Sequence, residues 1–308
     1  MKCARRLSFR RVYCLWVGGL LILMVAVLFV FEGAIADWKH PVIHVSAESA
    51  RVRDELDHAP KQVTVLTWNL AKAGFYEQSV PFLMSSETLA RLDAMADIIR
   101  RENPEVVVLT EVVGRAGLGN DQVAYLAGAL RMHSWTFGAN YSFGIPGFSI
   151  QAGKAILTHG ILSDARAVQL SGERWFWNPT NNRRLLLAEL RLGARSWTIG
   201  AIRNDSFSVA HNLIHAREVL RICAGDQTML AGDFNAEANS EAIKLFQNSG
   251  RFTGAFEGPS TFPSERPSNH GRRIDYIFAP KGWTLVSDRV IETTLSDHRP
   301  VVAEFRVP

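Results

Sequence analysis

Met229-Leu230-Ala231-Gly232-Asp233-Phe234-Asn235 is the stretch whose reading decides the rest of the chain. The run from Thr228 to Ala231 has the length and apolar content of a short buried strand. Gly232 is expected to open a tight turn there, because it carries no Cβ to clash. Asp233 and Asn235 lie two apart, and in extended backbone such residues point to the same side. A carboxylate and a carboxamide are thus presented together at a strand's end, a common place for ligand sites in open α/β sheets. Alone, the stretch is equally an ordinary strand exit, so its meaning depends on partners elsewhere.

On both sides of it, strand and helix patterns alternate. Val63 to Thr67 is rich in β-branched residues, and Val106 to Leu109 is four apolar residues in a row, as in a strand covered on both faces. Ala155 to Thr158, Leu185 to Leu192 and Trp197 to Ile202 also read as strands. Between Glu87 and Arg101, Leu89, Leu92, Met95 and Ile99 recur at helical spacing, and the pattern stops before Pro104. Helices are also expected from about Gln122 to Leu130, from Ser208 to Ile222 and near Ser240 to Gln247. Ile274 to Phe278, Thr284 to Val290 and Val301 to Phe305 are the late strands. No internal repeat or low-complexity tract interrupts the series. The alternation predicts an α/β domain over residues 62–308 with late strands joined mostly by hairpins.

Four further stretches place polar groups where apolar strands end. Thr67-Trp68-Asn69 ends one strand with Asn69, and Leu109-Thr110-Glu111 ends the next with Glu111. Asp275 interrupts an apolar strand in Ile274-Asp275-Tyr276, and Ser296-Asp297-His298-Arg299-Pro300 leads into the last strand. Each has a plain structural reading: a turn cap, a loop start, a satisfied buried acid, a turn residue. Together they make a chemical inventory. Glu111, Asp233 and Asp297 are hard oxygen ligands suited to Mg²⁺ or Mn²⁺. His298 is a candidate acid, base or phosphate donor, and Asp275 can fix its tautomer. Asn69 and Asn235 can help hold a metal or donate to an anionic oxygen. Phosphate-ester hydrolysis needs charge neutralisation, a positioned water and leaving-group stabilisation, and this set supplies them.

TWN, LTE, GDFN, IDY and SDHRP, in this order, resemble the exonuclease–endonuclease–phosphatase superfamily, and the match runs from about Val63 to Phe305. That superfamily includes pancreatic-type deoxyribonucleases, abasic-site endonucleases, neutral sphingomyelinases and inositol-polyphosphate phosphatases. The resemblance implies a four-layer sandwich, two packed mixed β-sheets flanked by helices. It also implies roles: Glu111 as main metal ligand assisted by Asn69, and Asp233 orienting or deprotonating the attacking water. Asn235 contacts the scissile phosphate, His298 meets it with Asp275 as orienting partner, and Asp297 lies near a second metal position. One departure stands out. Many members carry Thr-His-Leu-Asp before the long helix, whereas this chain has Ala201-Ile202-Arg203-Asn204-Asp205-Ser206, with Arg203 at the histidine position. Arginine forks well onto phosphate but is a poor proton donor. A surface Arg203 in a different register is the competing reading. Lys154 is a second candidate for reaching the phosphate.

Other candidates have plainer readings. His211 and His215 sit one helical turn apart with no acidic third ligand, and read as ordinary helix residues. Trp175-Phe176-Trp177 reads as packing or a loop anchor, against base stacking or contact with lipid. His270 reads as solvated, and Arg272 and Arg273 as either solvated or steering an anion.

The charge is unevenly placed. The formal net charge is +4, but Lys2, Arg5, Arg6, Arg10 and Arg11 all precede residue 12, leaving 29 of the 34 basic residues against 30 acidic ones. Basicity is therefore a property of the tail and gives no support to a nucleic-acid track. Only Cys223 of the three cysteines lies in the domain, which excludes an internal disulfide or a multi-cysteine zinc site there. Val12 to Phe31 carries no charge and is long enough to cross about 30 Å of hydrocarbon. The basic cluster before it predicts a cytoplasmic tail over residues 1–11, a signal anchor over 12–31 and an extracytoplasmic domain. Cleavage near Ala36, releasing a secreted domain, is the alternative. Residues 32–61 read as a linker with one short helix, and Trp38 as a residue for the membrane interface.

The expectation is a membrane-anchored, Mg²⁺- or Mn²⁺-dependent phosphoesterase acting on a phosphodiester. Nucleic acid and phospholipid headgroup both remain open as substrates, the bilayer is met through residues 12–31, and nothing points to a protein partner. The alternative is a phospholigand-binding module on the same fold that has lost turnover.

Overall fold

Strand β2 (Gln62–Asn69) shows how the layers arise. Val63 and Val65 point to one side, Leu66 and Trp68 to the other, and all four are fully buried. Side chains alternate across a strand, so a strand apolar on both faces must be covered on both. Val63 and Val65 pack with Leu186, Ile199, Met229 and Ile277 of a second sheet. Leu66 and Trp68 pack with Leu92, Met95 and Ile99 of a helix.

The computed structural model describes residues 2–38, 41–46, 60–74, 84–116, 119–172, 182–225, 227–263 and 271–308. One sheet has the spatial order β1 (Ile43–Val45), β4 (Ser134–Ile145), β5 (Phe148–Thr158), β3 (Val106–Ala116), β2, β13 (Val301–Arg306), β12 (Thr284–Val290). The other runs β10 (Phe252–Thr253), β11 (Asp275–Pro280), β9 (Thr228–Asp233), β8 (Arg195–Arg203), β7 (Arg184–Leu192), β6 (Ile161–Gln169). Helices α2 (Ser86–Glu102) and α3 (Gln122–Ala129) cover the outer face of the first sheet. Helices α4 (Val209–Ile222) and α5 (Glu241–Asn248) cover the second, where Phe234 and Phe246 meet edge to face at 5.2 Å. The result is the four-layer sandwich of two mixed sheets.

Each sheet contains one parallel pair, β2 with β3 and β8 with β9, and each pair is bridged by a helix, α2 or α4. Local sequence sets these crossovers. Ser85 caps α2 by accepting from the Thr88 N–H, and Asn103 ends it in a left-handed conformation before Pro104. Ser208 and Ser240 cap α4 and α5 in the same way. Because the parallel strands run the same way, their carboxyl ends gather along one rim.

Several expectations are corrected. Strand β3 does not end at Leu109 but continues to Ala116, so Glu111 lies within it. β4 and β6 were not legible: Gly138, Asn140 and Gly144 dilute the alternation in β4, and β6 is a half-exposed edge strand with a register shift at Ser163/Arg166. Hairpins join β4 to β5 and β6 through β8, not mainly the late strands. β11 and β12 belong to different sheets.

The N-terminal helix α1 spans Lys2–Trp38, and its Val12–Glu32 part is long and apolar enough to cross a membrane, by length and composition. Residues 32–61 are not simply a linker. Glu32 is buried, and Ile43–Val45 pairs with Ser134–Thr136 to extend the first sheet. Any short helix over 47–59 lies outside the described residues, as do Trp175-Phe176-Trp177, His270 and the side chain of Trp38.

Candidate active site

The rim collects polar groups because of register. Asp233, the last residue of β9, lies opposite Arg203 on β8 and Asp275 on β11, while Asn69 lies opposite Thr110 on β3. The segment before β13 is tied to the same place. The Trp68 indole N–H donates to the His298 carbonyl at 2.9 Å, and the Ser296 hydroxyl donates to the Asn69 carbonyl at 2.7 Å.

Glu111 reaches the rim through a bulge. It has φ 49°, and the β3–β5 pairing slips between Thr110 and Val112, so its side chain is re-aimed out of the ladder. Lys72 Nζ lies 2.5 Å from Glu111 Oε2, and Arg203 donates to Glu111 Oε1. Asn69 Nδ2 donates to Glu111 Oε1 at 3.1 Å and to Asp233 Oδ2 at 3.2 Å, while its Oδ1 accepts from the Ala71 N–H at 3.0 Å. Burial alone would raise the Glu111 carboxyl. Arg203 and Lys72 outweigh it and hold the carboxyl well below its ordinary range.

The second half of the site is acid–imidazole. His298 Nδ1 sits 2.8 Å from Asp275 Oδ2, and Asp233, Asp275 and His298 offer ligand atoms within 4.8 Å of one another. Burial works against a charged imidazole, but Asp275, then Asp233 and Asp297, push His298 up to about 9. Burial and the Asp275 carboxylate push Asp233 up to about 6, against the pull of His298 and Arg203. Asn235 has φ 50°, donates its backbone N–H to Asp233 Oδ1 at 2.9 Å and sends Nδ2 to Asp233 Oδ2 at 3.0 Å. The turn thus comes at Asn235, not Gly232. The glycine is needed because a Cβ there would stand 2.1 Å from the Ile202 carbonyl oxygen.

Two predicted residues, Lys154 and Asp297, are placed differently from expectation, and at Arg203 it is the competing surface reading that falls. Lys154 is fully buried with Nζ on Asn140 Oδ1 at 2.6 Å, so it supports the site from behind. Burial, then the Arg183 and Arg203 charges, push its amine well below the usual lysine range. Asp297 is exposed and accepts from the Ser296 hydroxyl at 3.2 Å, outside the buried acids. Arg203 is not a surface residue: its side chain is only 16% exposed, and burial is outweighed by Glu111 and Asp233, which raise it.

Between Glu111 and the β4–β5 ribbon lies a cavity of about 210 Å³ lined by Lys72, Asn140, Tyr141, Arg183, Arg203 and Phe207, among others. Sequence reading missed Lys72 and Arg183. Lys72 arrives through a run of positive-φ residues, Ala71, Lys72, Ala73 and Gly74, of which only the last is a glycine. Arg183 is held by donating Nε to the Asn204 carbonyl at 3.0 Å.

A family model described as endonuclease/exonuclease/phosphatase matches residues 66–298. The chain belongs to that family. Its members are generally hydrolases of phosphoester bonds. Solved structures agree on the fold. The endonuclease/exonuclease/phosphatase from Beutenbergia cavernae is 24% identical over 80% of this chain and 72% of that one, with a TM-score of 0.64. The one from Bacteroides vulgatus is 17% identical over 81% and 100%, TM-score 0.62. The human Nocturnin catalytic domain, solved with a bound sulfate, is 18% identical over 80% and 93%, TM-score 0.59. No curated protein matches the chain.

Family enzymes typically use divalent metals, and the donors here fit a hard cation. Glu111 supplies carboxylate oxygens, and Asn69, which turns Nδ2 towards Glu111 and Oδ1 towards the Ala71 N–H, would have to rotate its amide to add an oxygen. The Lys72 ammonium stands on Glu111 Oε2, so a dication has to displace it. His215 serves structure in this family member, with Nδ1 accepting from the Asp205 N–H at 3.2 Å and Nε2 at 2.6 Å from the Ser171 carbonyl. Asn212 Nδ2 clamps the strand exit by donating to the carbonyls of Phe234 and Asn235 at 2.9 and 3.2 Å.

Proposed function

We propose that the chain is a membrane-anchored, Mg²⁺- or Mn²⁺-dependent phosphoesterase that cleaves a phosphodiester by water attack. The observation that carries this reading is the buried Asp233–Asp275–His298 cluster set beside Glu111 and Arg203. Asp233 accepts the proton of the attacking water, and its raised pKa makes it a stronger base than an ordinary carboxylate while it stays ionised at neutral pH. Asn235 holds Asp233 and contacts the phosphate. His298, cationic below about pH 9 and fixed by Asp275, donates through Nε2 to a phosphoryl oxygen. Arg203 holds a second oxygen and is a poor acid, so as the P–O bond breaks the leaving oxygen departs as an anion and takes its proton from solvent. A dication at Glu111 and Asn69, with Asp297 near a second position, would offset charge developing on the phosphoryl oxygens.

Hydrolysis of bis-p-nitrophenyl phosphate with and without Mg²⁺, beside Asp233→Ala, tests this. Turnover that is unchanged in EDTA or survives the substitution overturns it. The capture of Glu111 by Lys72 and Arg203 favours a second reading, a phospholigand-binding module that needs no metal. Calorimetric binding of inorganic phosphate in EDTA, without turnover of any substrate, selects that module instead.

A further inference from the structure

The end of α1 packs along β4 of the domain, and among the described residues Glu32 ties it there. Glu32 is buried and accepts hydrogen bonds from the hydroxyls of Ser142 at 2.8 Å and Ser149 at 2.7 Å. Beside it, Phe29 meets Phe143 edge to face at 4.9 Å. Ser142 and Ser149 lie on β4 and β5, on either side of the Ile145–Phe148 turn that closes the ribbon. A carboxylate at the end of an apolar span is costly to bury without such donors, so the two hydroxyls fix the helix to the ribbon's tip.

The same ribbon forms one wall of the cavity. Tyr141 and Ala152 line it and pair with each other, four residue pairs inward from Ile145 and Phe148. At about 3.3 Å per residue the cavity wall lies roughly 13 Å from the tip. Exposed apolar side chains occur near the ribbon's tip and, separately, at the cavity. Phe143 and Phe148 are 42% and 52% exposed, Phe207 on the cavity lining is 74% exposed, and Val209 beyond it is 87% exposed. Scattered exposed apolar residues need no explanation, but two phenylalanines at a ribbon's tip, one of them against an apolar helix, do. Aromatic rings of this kind settle at the headgroup level of a bilayer. Lys72, Arg183 and Arg203 line the cavity with Glu111, which pairs with Lys72 and Arg203, while Arg203 also stands 3.8 Å from Asp233.

We propose that Glu32 clasps α1 to the β4–β5 ribbon so that the cavity faces the bilayer that α1 enters, with Phe143 and Phe148 seated in the headgroup region, and that the group admitted is the phosphate of a lipid headgroup. The cleavage of that phosphate rests on the phosphoesterase reading above; the seating does not. The cationic lining favours an anionic headgroup, which a neutral one does not match.

The test uses the full chain in nanodiscs. Tryptophan is introduced by Phe148→Trp at the ribbon's tip or by Val286→Trp on β12, the opposite edge strand of the same sheet. With brominated phosphatidylcholine, the added fluorescence at position 148 is expected to be quenched strongly and that at 286 hardly at all. Equal quenching at both positions overturns the seating. Glu32→Ala added to Phe148→Trp is expected to bring the quenching towards that at 286, and unchanged quenching overturns the clasp. For the headgroup, bis-p-nitrophenyl phosphate is hydrolysed in discs of phosphatidylcholine or of equal parts phosphatidylcholine and phosphatidylglycerol. A KM about threefold higher with phosphatidylglycerol is expected from competition at the cavity, and an unchanged KM overturns lipid phosphate as its ligand. A chain that hydrolyses nothing sinks the phosphoesterase reading and leaves the quenching comparison to decide the seating.

Discussion

Two neighbouring charge clusters meet at Asp233, which shares Asn69 with Glu111 and borders Asp275. His298→Ala removes the cationic donor and is expected to lower kcat for bis-p-nitrophenyl phosphate by about 10²–10³-fold with little change in KM. The pH profile follows from the two shifted groups. Asp233 must be ionised and His298 protonated, so the rate rises through about pH 6 and falls through about pH 9, as apparent values of the coupled cluster. Asp275→Asn removes the main group raising His298, and the alkaline limb is expected to move to lower pH. Stability carries the same sign. A histidine raised from 6.5 to about 9 on folding contributes stability that is fully present below 6.5 and is lost as pH rises through about 9, readable in denaturant midpoints. Lys72→Met frees one oxygen of Glu111, and calorimetry is expected to show Mg²⁺ binding about tenfold tighter. Weaker or unchanged binding would mean that the dication does not compete with this ammonium. Lys72 itself was hidden because its reach depends on a left-handed turn whose one local sign is Gly74.

At the level of elements, the site depends on close approach of β8 and β9. Gly232 has φ 139° and no room for a methyl group against the Ile202 carbonyl. Gly232→Ala is expected to cost roughly 3 kcal/mol or more, since both strain and overpacking act at once. Urea unfolding measures it, and a loss below about 1 kcal/mol would show that the strands can part freely. Helices α2, α4 and α5 were legible from caps and apolar spacing, which act within a few residues. Glu111 was expected at a strand's end because a charged residue follows an apolar run, yet Val112 and Val113 lie beyond it. In the fold they continue the strand past a bulge. Bulges depend on the partner strand, which local pattern does not contain.

Across the whole molecule, the two sheets lock six distant segments onto one rim, and the N-terminal helix is held by Glu32. The full chain is expected to stay in the membrane pellet after alkaline carbonate extraction, with its N-terminus intact. A soluble chain beginning near Asp37 would instead establish cleavage. By itself the sequence determined the α/β class, the apolar N-terminal span and the roster Asn69, Glu111, Asp233, Asn235, Asp275 and His298, because short motifs and periodicity are local. Only the tertiary structure decided which charges face one another: Lys72 and Arg203 on Glu111, Lys154 withdrawn behind Asn140, Asp297 left at the surface. Electrostatic pairing depends on distance and burial, and those quantities exist only once the sheets have packed.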